Sequence, residues 1–129
     1  MSDEQSVIEA IGKEGIHRMV EGFYRRVKTD DLLAPMYPHD DWEGSESRLR
    51  DFLLFRIAGD PKYILERGHP RLRMRHMPFR IGMAERDRWL ALMGAAMDEA
   101  EVEGAARAFL DALFLQIADF MRNQPEAMP

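Results

Sequence analysis

Any metal site in this 129-residue chain must be built from histidines and carboxylates, because the sequence contains four histidines and no cysteine. Without cysteine there is no disulfide, no iron–sulfur cluster, no thiolate zinc site and no thiol nucleophile. Three histidines are best interpreted as surface residues: His17 on the polar side of a helix, His39 in a turn, and His69 in a loop, where the following proline disfavours helical geometry. His76 is the remaining candidate for a chemical role.

His76 lies one turn after Leu72 in a short predicted helix that Pro78 ends. Its side chain is expected on the same inward face as that of Leu72. Spacing alone favours a core or capping histidine. No His-x-x-x-His or Glu-x-x-His pair accompanies His76, which argues against a zinc or di-iron site. The alternative is a haem site, which needs only one inward imidazole in a helical domain, because the porphyrin supplies the other four nitrogens.

A haem site also needs an apolar slot for the porphyrin and hydrogen-bond donors beside the open coordination position. The candidate donors are Tyr24, Tyr37 and Trp89, which lie at the edges of apolar stripes and need hydrogen-bond partners when buried. Ordinary core packing is the alternative interpretation of the apolar residues. The candidate slot residues are Leu49, Phe52, Leu53, Leu72, Met77, Phe79 and Ile81.

Positive charge is concentrated in one segment, although the net charge of the chain is −5. Such a cluster of arginines is either a solvated face paired with nearby carboxylates or a receptor for carboxylates and phosphates, to which arginine donates two hydrogen bonds at once. No groove-reading motif accompanies the cluster, so nucleic acid is not an expected partner. The clustered residues are Arg67, Arg71, Arg73, Arg75 and Arg80.

The elements that must position these residues are predicted to be helices throughout. β-branched residues are scarce, and no long segment alternates apolar and polar residues. Gly12 interrupts the first predicted helix, and an apolar stripe that begins at Ile16 predicts an amphipathic helix ending near Lys28. The turn at Asp41 leads into a further helix, which is predicted to end at Gly59.

The rest of the chain completes a single all-α domain over residues 1–129. Residues 59–71 are predicted as a loop because they contain two glycines and two prolines. A short helix over residues 72–76 and two long amphipathic helices follow. Residues 1–6 and 123–129 are expected to be loose tails.

Composition excludes several classes of protein. A hydrophobic content of 46% with 32% charged residues is typical of a soluble globular domain. No apolar run approaches the roughly 18–20 residues that a membrane span needs. The N-terminus lacks the basic and apolar regions of a secretory signal, so a cytoplasmic protein with no membrane partner is expected.

One segment of this sequence resembles the proximal segment of the group II truncated haemoglobins, a family of shortened globins. The segment reads Arg67-Gly68-His69-Pro70-Arg71-Leu72-Arg73-Met74-Arg75-His76 and is followed by Pro78-Phe79-Arg80-Ile81. Weaker similarities occur in the family's order at Phe23-Tyr24, Tyr37-Pro38 and Glu85-Arg86-Asp87-x-Trp89. The resemblance runs from residue 7 to residue 122 and therefore covers nearly the whole chain.

The resemblance implies a two-over-two helical sandwich around haem b. His76 would be the proximal iron ligand. Tyr24, Tyr37 and Trp89 would be the hydrogen-bond donors of the distal pocket.

The resemblance also implies contacts around the rest of the haem. Ser45 and Leu49 would line the distal side. Arg48 matches the basic residue that such proteins place near a haem propionate, and Arg75 and Tyr63 are further candidates for the haem edge.

The sequence departs from the family pattern at two places beside the expected pocket. Arg56-Ile57-Ala58 stands where the family has an aromatic pair before a double glycine, which is expected to alter packing late in that helix. Met77 replaces a common alanine next to the proximal histidine, so its side chain is expected to press on the haem or adjust the imidazole.

The implied ligands are O2, CO, NO and similar small molecules. No distal histidine stands at Ser45 or Leu49, so the sixth coordination position is expected to be open or to hold water. Three donors would slow oxygen release, which favours redox chemistry or sensing over bulk oxygen transport.

Two alternatives stay open. One is a haem enzyme with peroxidase-like or nitric oxide dioxygenase activity, which would need an external electron donor. The other is a helical interaction module that binds no haem. A homodimer is compatible with the sequence.

Overall fold

The computed structural model describes residues 3–68 and 76–123, and the regular secondary structure of these residues is helical throughout. These residues contain no β-strand, so the all-α prediction is confirmed. None of their helices is long and apolar enough to cross a membrane. In chain order the elements are α1 (Asp3–Val27), a 3-10 helix (Ala34–Met36), α2 (Trp42–Ala58), α3 (Lys62–Arg67), α4 (Met83–Glu99) and α5 (Gly104–Met121).

Helix α1 is the central element, since it contacts α2, α4 and α5. Its buried stripe follows the predicted spacing from Ile16 to Val27, where the helix ends one residue before the predicted end. Gly12 kinks the helix with a φ of 68°, as the sequence predicted. Glycine adopts this left-handed conformation without a side-chain clash. Helix α4 packs on α5, and α2 packs on α3.

The predicted loop over residues 59–71 contains helix α3, so that prediction is wrong for Lys62–Arg67. The proline and glycine that suggested a loop flank the helix, at its N-cap and C-cap, and do not interrupt it. Tyr63 anchors α3 to α2: it is 3% exposed, and its ring centroid lies 5.7 Å from that of Phe52. Tertiary packing of this aromatic ring stabilises a helix that would be too short to form alone.

Both segments predicted as loose tails contain residues that belong to the folded domain. Helix α1 begins at Asp3, so residues 3–6 form its first turn, and Val7 is buried in the core. At the other end, Asn123 is hydrogen-bonded to Ile81 and belongs to the folded domain. The predicted short helix over 72–76 lies outside the described residues, apart from His76.

Helix α2 has a defined cap at each end, at the predicted positions. Asp41 is the N-cap, and its Oδ1 accepts a hydrogen bond of 3.1 Å from the N–H of Gly44. Gly59 is the C-cap, with a left-handed φ of 73°, and its N–H donates to the carbonyls of Leu54 and Phe55. These caps determine where the helix begins and ends, and hence which of its residues face the interior.

Replacing Asp41 tests the N-cap of α2. Asp41→Ala is expected to lower the free energy of unfolding by about 1 kcal/mol, because the N–H of Gly44 loses its acceptor. Urea unfolding measures the change. Asp40→Ala is the matched control, since Asp40 is an exposed carboxylate one residue outside the cap. Equal effects of the two variants would contradict the capping role.

Candidate functional site

A cavity of about 460 Å³ lies among α1, α2, α3, α4, α5 and the segment 76–81. Its volume is within the range of roughly 300–1,000 Å³ that is typical of small-molecule and cofactor sites. Most of its wall is aliphatic or aromatic. The predicted site residues that line it are Tyr24, Tyr37, Ser45, Arg48, Leu49, Phe52, Leu53, Tyr63, His76, Phe79, Ile81 and Trp89.

Two predicted site residues, Leu72 and Arg75, lie outside the described residues. A third, Met77, is 55% exposed and does not line the cavity, which differs from the expectation that its side chain presses on the bound group. Met77 and His76 are consecutive, and consecutive residues of a turn direct their side chains differently, so only His76 reaches the cavity.

Two tyrosines bring polar groups into the apolar wall. Tyr24 is 4% exposed, and its Oη donates a hydrogen bond of 3.1 Å to the backbone carbonyl of Ser45. Its ring meets that of Tyr37 edge to face, with centroids 5.8 Å apart. Trp89, on α4, has its ring centroid 5.0 Å from that of Phe23. The cavity therefore has donors from α1, from α4 and from the turn after the 3-10 helix.

Both phenols keep their protons at neutral pH. Burial raises the pKa of Tyr37 to about 12, even though hydrogen bonds with Trp89 and Tyr24 lower it in part. Burial also raises the pKa of Tyr24, and the neighbouring Tyr37 raises it further. Removing a phenolate from water is unfavourable, so each hydroxyl stays neutral and can donate a hydrogen bond.

The side chain of Arg48 on α2 brings positive charge to the cavity. One guanidinium nitrogen donates to Asp41 Oδ2 at 3.2 Å and the other to Ser45 Oγ at 3.1 Å. Ser45 itself is 6% exposed, whereas the side chain of Arg48 is 39% exposed. A half-exposed guanidinium beside an apolar cavity can pair with an acidic group of a ligand whose body is buried.

The predicted site residues on the last two helices included Trp89 but not the other residues with which these helices line the cavity. Arg86 and Glu85 of α4 line the wall, as do Ile117 and Met121 of α5. Arg86 donates to Asp119 at 2.8 Å and so joins the start of α4 to the end of α5. The i, i+4 spacing of the two α5 residues indicated only a buried face, because packing against another helix and lining a cavity require the same apolar pattern.

The residues present fit a haem. The cavity contains an imidazole from His76, flat apolar surfaces such as Phe52 and Phe79, and the guanidinium of Arg48. The imidazole would bind the iron, the apolar surfaces would contact the porphyrin, and the guanidinium would pair with a propionate. The neutral O–H of Tyr37 can donate to a small ligand, and the N–H of Trp89 donates to the oxygen of Tyr37.

Comparisons with known proteins agree with this arrangement. The chain matches the family of bacterial-like globins over residues 6–123. It is 42% identical over 119 residues to the group 2 truncated hemoglobin YjbI of Bacillus subtilis (strain 168), and the match covers 92% of this chain and 89% of that protein.

Two solved structures are similar over almost their whole length. The thermostable hemoglobin of the actinobacterium Thermobifida fusca has a TM-score of 0.88 and 42% identity, covering 98% of this chain and 100% of its own. The truncated oxygen-avid haemoglobin of Bacillus subtilis has a TM-score of 0.85 and 39% identity, covering 91% of this chain and 98% of its own.

These similarities confirm the predicted two-over-two helical sandwich. They extend through all five α-helices that line the cavity. The chain therefore belongs to the bacterial-like globins and, within them, to the group II truncated haemoglobins.

Proposed function

We propose that this chain binds haem b in the cavity, with His76 as the protein ligand of the iron, and thereby binds O2, CO, NO and similar small ligands. The observation that carries the proposal is that His76, a mainly apolar wall and three aromatic donors share one cavity. Membership of the globin family implies haem binding in general. When bound, haem supplies an iron centre with an open coordination position for a diatomic gas.

The walls of the cavity would hold the porphyrin by burial and by one charge pair. Phe52 and Leu53 of α2 and Phe79 and Ile81 after His76 contribute apolar surface. Transfer of such surface from water stabilises the complex by roughly 25 cal/mol per Å². Arg48 would exchange its contact with Asp41 for a propionate, and bidentate pairing with a carboxylate favours that exchange.

The three donors are not equivalent. The hydroxyl of Tyr24 already has partners in the carbonyl of Ser45 and the oxygen of Tyr37. The hydrogen bond with Trp89 lowers the pKa of Tyr37, as expected when the indole donates to the phenol oxygen, and this arrangement leaves the O–H of Tyr37 to donate to a ligand. Tyr37 would therefore be the principal donor to a ligand, Trp89 would orient its hydroxyl, and Tyr24 would orient the backbone of α2.

This donor set supports redox chemistry or gas sensing over bulk oxygen transport. A ligand with partial negative charge gains about 0.5–1.5 kcal/mol from each hydrogen bond, and more if the bond is charge-assisted. Such bonds slow escape from the cavity, which is a disadvantage in a carrier that must unload. The similarity to a Bacillus subtilis protein described as oxygen-avid supports the same interpretation.

Replacement of His76 is the direct test of the proposal. The purified protein supplied with haem is expected to have a Soret band that His76→Ala abolishes or shifts strongly, because the iron loses its only protein ligand. Absorption spectroscopy of the ferric, ferrous and CO-bound protein measures the effect. His17→Ala, an exposed position on α1, is the matched control. A normal spectrum for His76→Ala would refute the assignment.

Loss of a donor should accelerate oxygen release. Tyr37→Phe is expected to raise the release rate roughly two- to tenfold, which corresponds to one lost hydrogen bond. Trp89→Phe is expected to raise the rate as well, because Tyr37 loses the indole that orients its hydroxyl. Tyr24→Phe should have the smaller effect, since its hydroxyl serves Ser45. Stopped-flow measurement of oxygen release gives the rates. Trp42→Phe is the control, because Trp42 stacks on Tyr37 but does not line the cavity. Unchanged rates in both donor variants would exclude the proposed network.

The raised pKa of Tyr37 predicts a loss of stability at alkaline pH. In the unfolded chain the phenol ionises near pH 10, while in the folded protein its pKa is about 12. The unfolded state therefore binds fewer protons than the folded state between these values, and stability falls as pH rises from about 10 to about 12. Urea unfolding across this range should give a shallower fall for Tyr37→Phe than for the wild type. Parallel curves would contradict the burial of a neutral phenol.

A further inference from the structure

Asn123 connects the end of α5 to the backbone that follows His76. Its N–H donates to the carbonyl of Ile81 at 2.8 Å, and its Oδ1 accepts from the N–H of Ile81 at 2.9 Å. Its Nδ2 donates to the carbonyl of Phe79 at 2.7 Å and to that of His76 at 3.3 Å. One residue therefore makes four hydrogen bonds with a segment 42 to 47 positions away.

The chemistry of these contacts requires a carboxamide. Only Asn and Gln combine an acceptor oxygen with two N–H donors on one planar group. The amide oxygen of Asn123 accepts from the N–H of Ile81, and its NH2 group donates to the carbonyls of Phe79 and His76. A carboxylate would keep the acceptor and lose both donors.

The segment that Asn123 holds is part of the cavity wall. His76, Phe79 and Ile81 all line the cavity. The N–H of Phe79 donates to the carbonyl of His76 at 3.0 Å and closes a turn, and the same carbonyl accepts from Asn123. The carbonyl of His76 therefore accepts two hydrogen bonds. These bonds limit the movement of the His76 backbone and hence of the imidazole attached to it.

Asn123 is itself fixed in place by the end of α5. Asp119 pairs with Arg86 at 2.8 Å and with Arg122 at 2.9 Å, which ties the last turn of α5 to the start of α4. Met121 is buried and lines the cavity two residues before Asn123. The amide of Asn123 thus fixes the segment after His76 relative to α4 and α5.

We propose that Asn123 is a positioning residue for His76: its side-chain amide fixes the backbone of residues 76–81 and thereby the orientation of the imidazole toward the haem iron. The proposal rests on the proposed role of His76 as the iron ligand. A histidine held by its backbone presents its ring in one orientation, and a histidine on a loose segment samples several.

Two substitutions separate the contacts. Asn123→Ala removes every side-chain contact. Asn123→Asp keeps the oxygen that accepts from Ile81 and removes the donors to Phe79 and His76. Gln116→Ala is the matched control, because it removes an exposed carboxamide from α5, the helix that precedes Asn123. All three are made in the full-length protein and purified with haem.

Hydrogen exchange measured by NMR tests the contacts without relying on haem. The amide of Ile81 is expected to exchange faster in Asn123→Ala, by roughly tenfold for the loss of one hydrogen bond, equivalent to about 1.4 kcal/mol. It should remain protected in Asn123→Asp and in Gln116→Ala. Unchanged exchange in Asn123→Ala would overturn the proposal.

Resonance Raman spectroscopy of the ferrous protein tests the orientation of His76. The iron–imidazole stretching band is expected to shift or broaden in both Asn123 variants and to match the wild type in Gln116→Ala. The Fe–CO band, which reports on the distal donors, should stay unchanged, and this separates positioning from general loss of structure. An unaltered iron–imidazole band in both Asn123 variants would overturn the proposal.

The exchange and Raman measurements, together with the spectrum of His76→Ala, also distinguish the positioning role of Asn123 from haem binding itself. A normal haem spectrum in His76→Ala would remove the proposed iron ligand, whatever the exchange rate of Ile81. Loss of the Soret band in His76→Ala, together with unchanged exchange and Raman bands in the Asn123 variants, would leave haem binding intact and refute the positioning role alone.

Discussion

The packing of α1 against three other helices is the interaction on which the rest of the structure depends. Its residue Phe23 is fully buried and meets both Tyr24 and Trp89 at centroid distances of 5.3 and 5.0 Å. Trp89 in turn packs on Phe114 of α5, at 5.5 Å. The same aromatic cluster thus forms the centre of the core and one side of the cavity. A shift of α1 would displace the donors along with the core.

The cavity combines mainly apolar walls with the neutral phenols of Tyr24 and Tyr37. Burial keeps the phenol of Tyr37 protonated, because a phenolate would lose its hydration there. Full charges lie where counter-ions reach them: Arg48 against Asp41, and Arg86 against Asp119. This separation lets neutral donors face a small ligand while the guanidinium groups stay partly in water, where their ionisation costs little.

Much of the fold and of the cavity wall could be predicted from local pattern. The stripe of α1 and the caps of α2 follow from residue spacing and from the preferences of aspartate and glycine at helix ends. Helix α3 could not be predicted in this way, because it depends on the contact of Tyr63 with α2. The role of Asn123 could not be predicted for a similar reason. Its partners lie far away in the chain and are backbone groups, which every residue has, so the residue types do not reveal the contact.

Residue types and their spacing are enough to specify the available chemistry: no thiolate, one inward histidine candidate, and aromatic donors beside apolar stripes. These properties can be inferred from the chain without knowing how its helices pack. Helix packing, in contrast, determines that His76 reaches the cavity while Met77 does not, and that Arg86 and Asn123 join α4 and α5 to the wall. Those outcomes depend on distances between helices, and such distances arise only when the helices pack together.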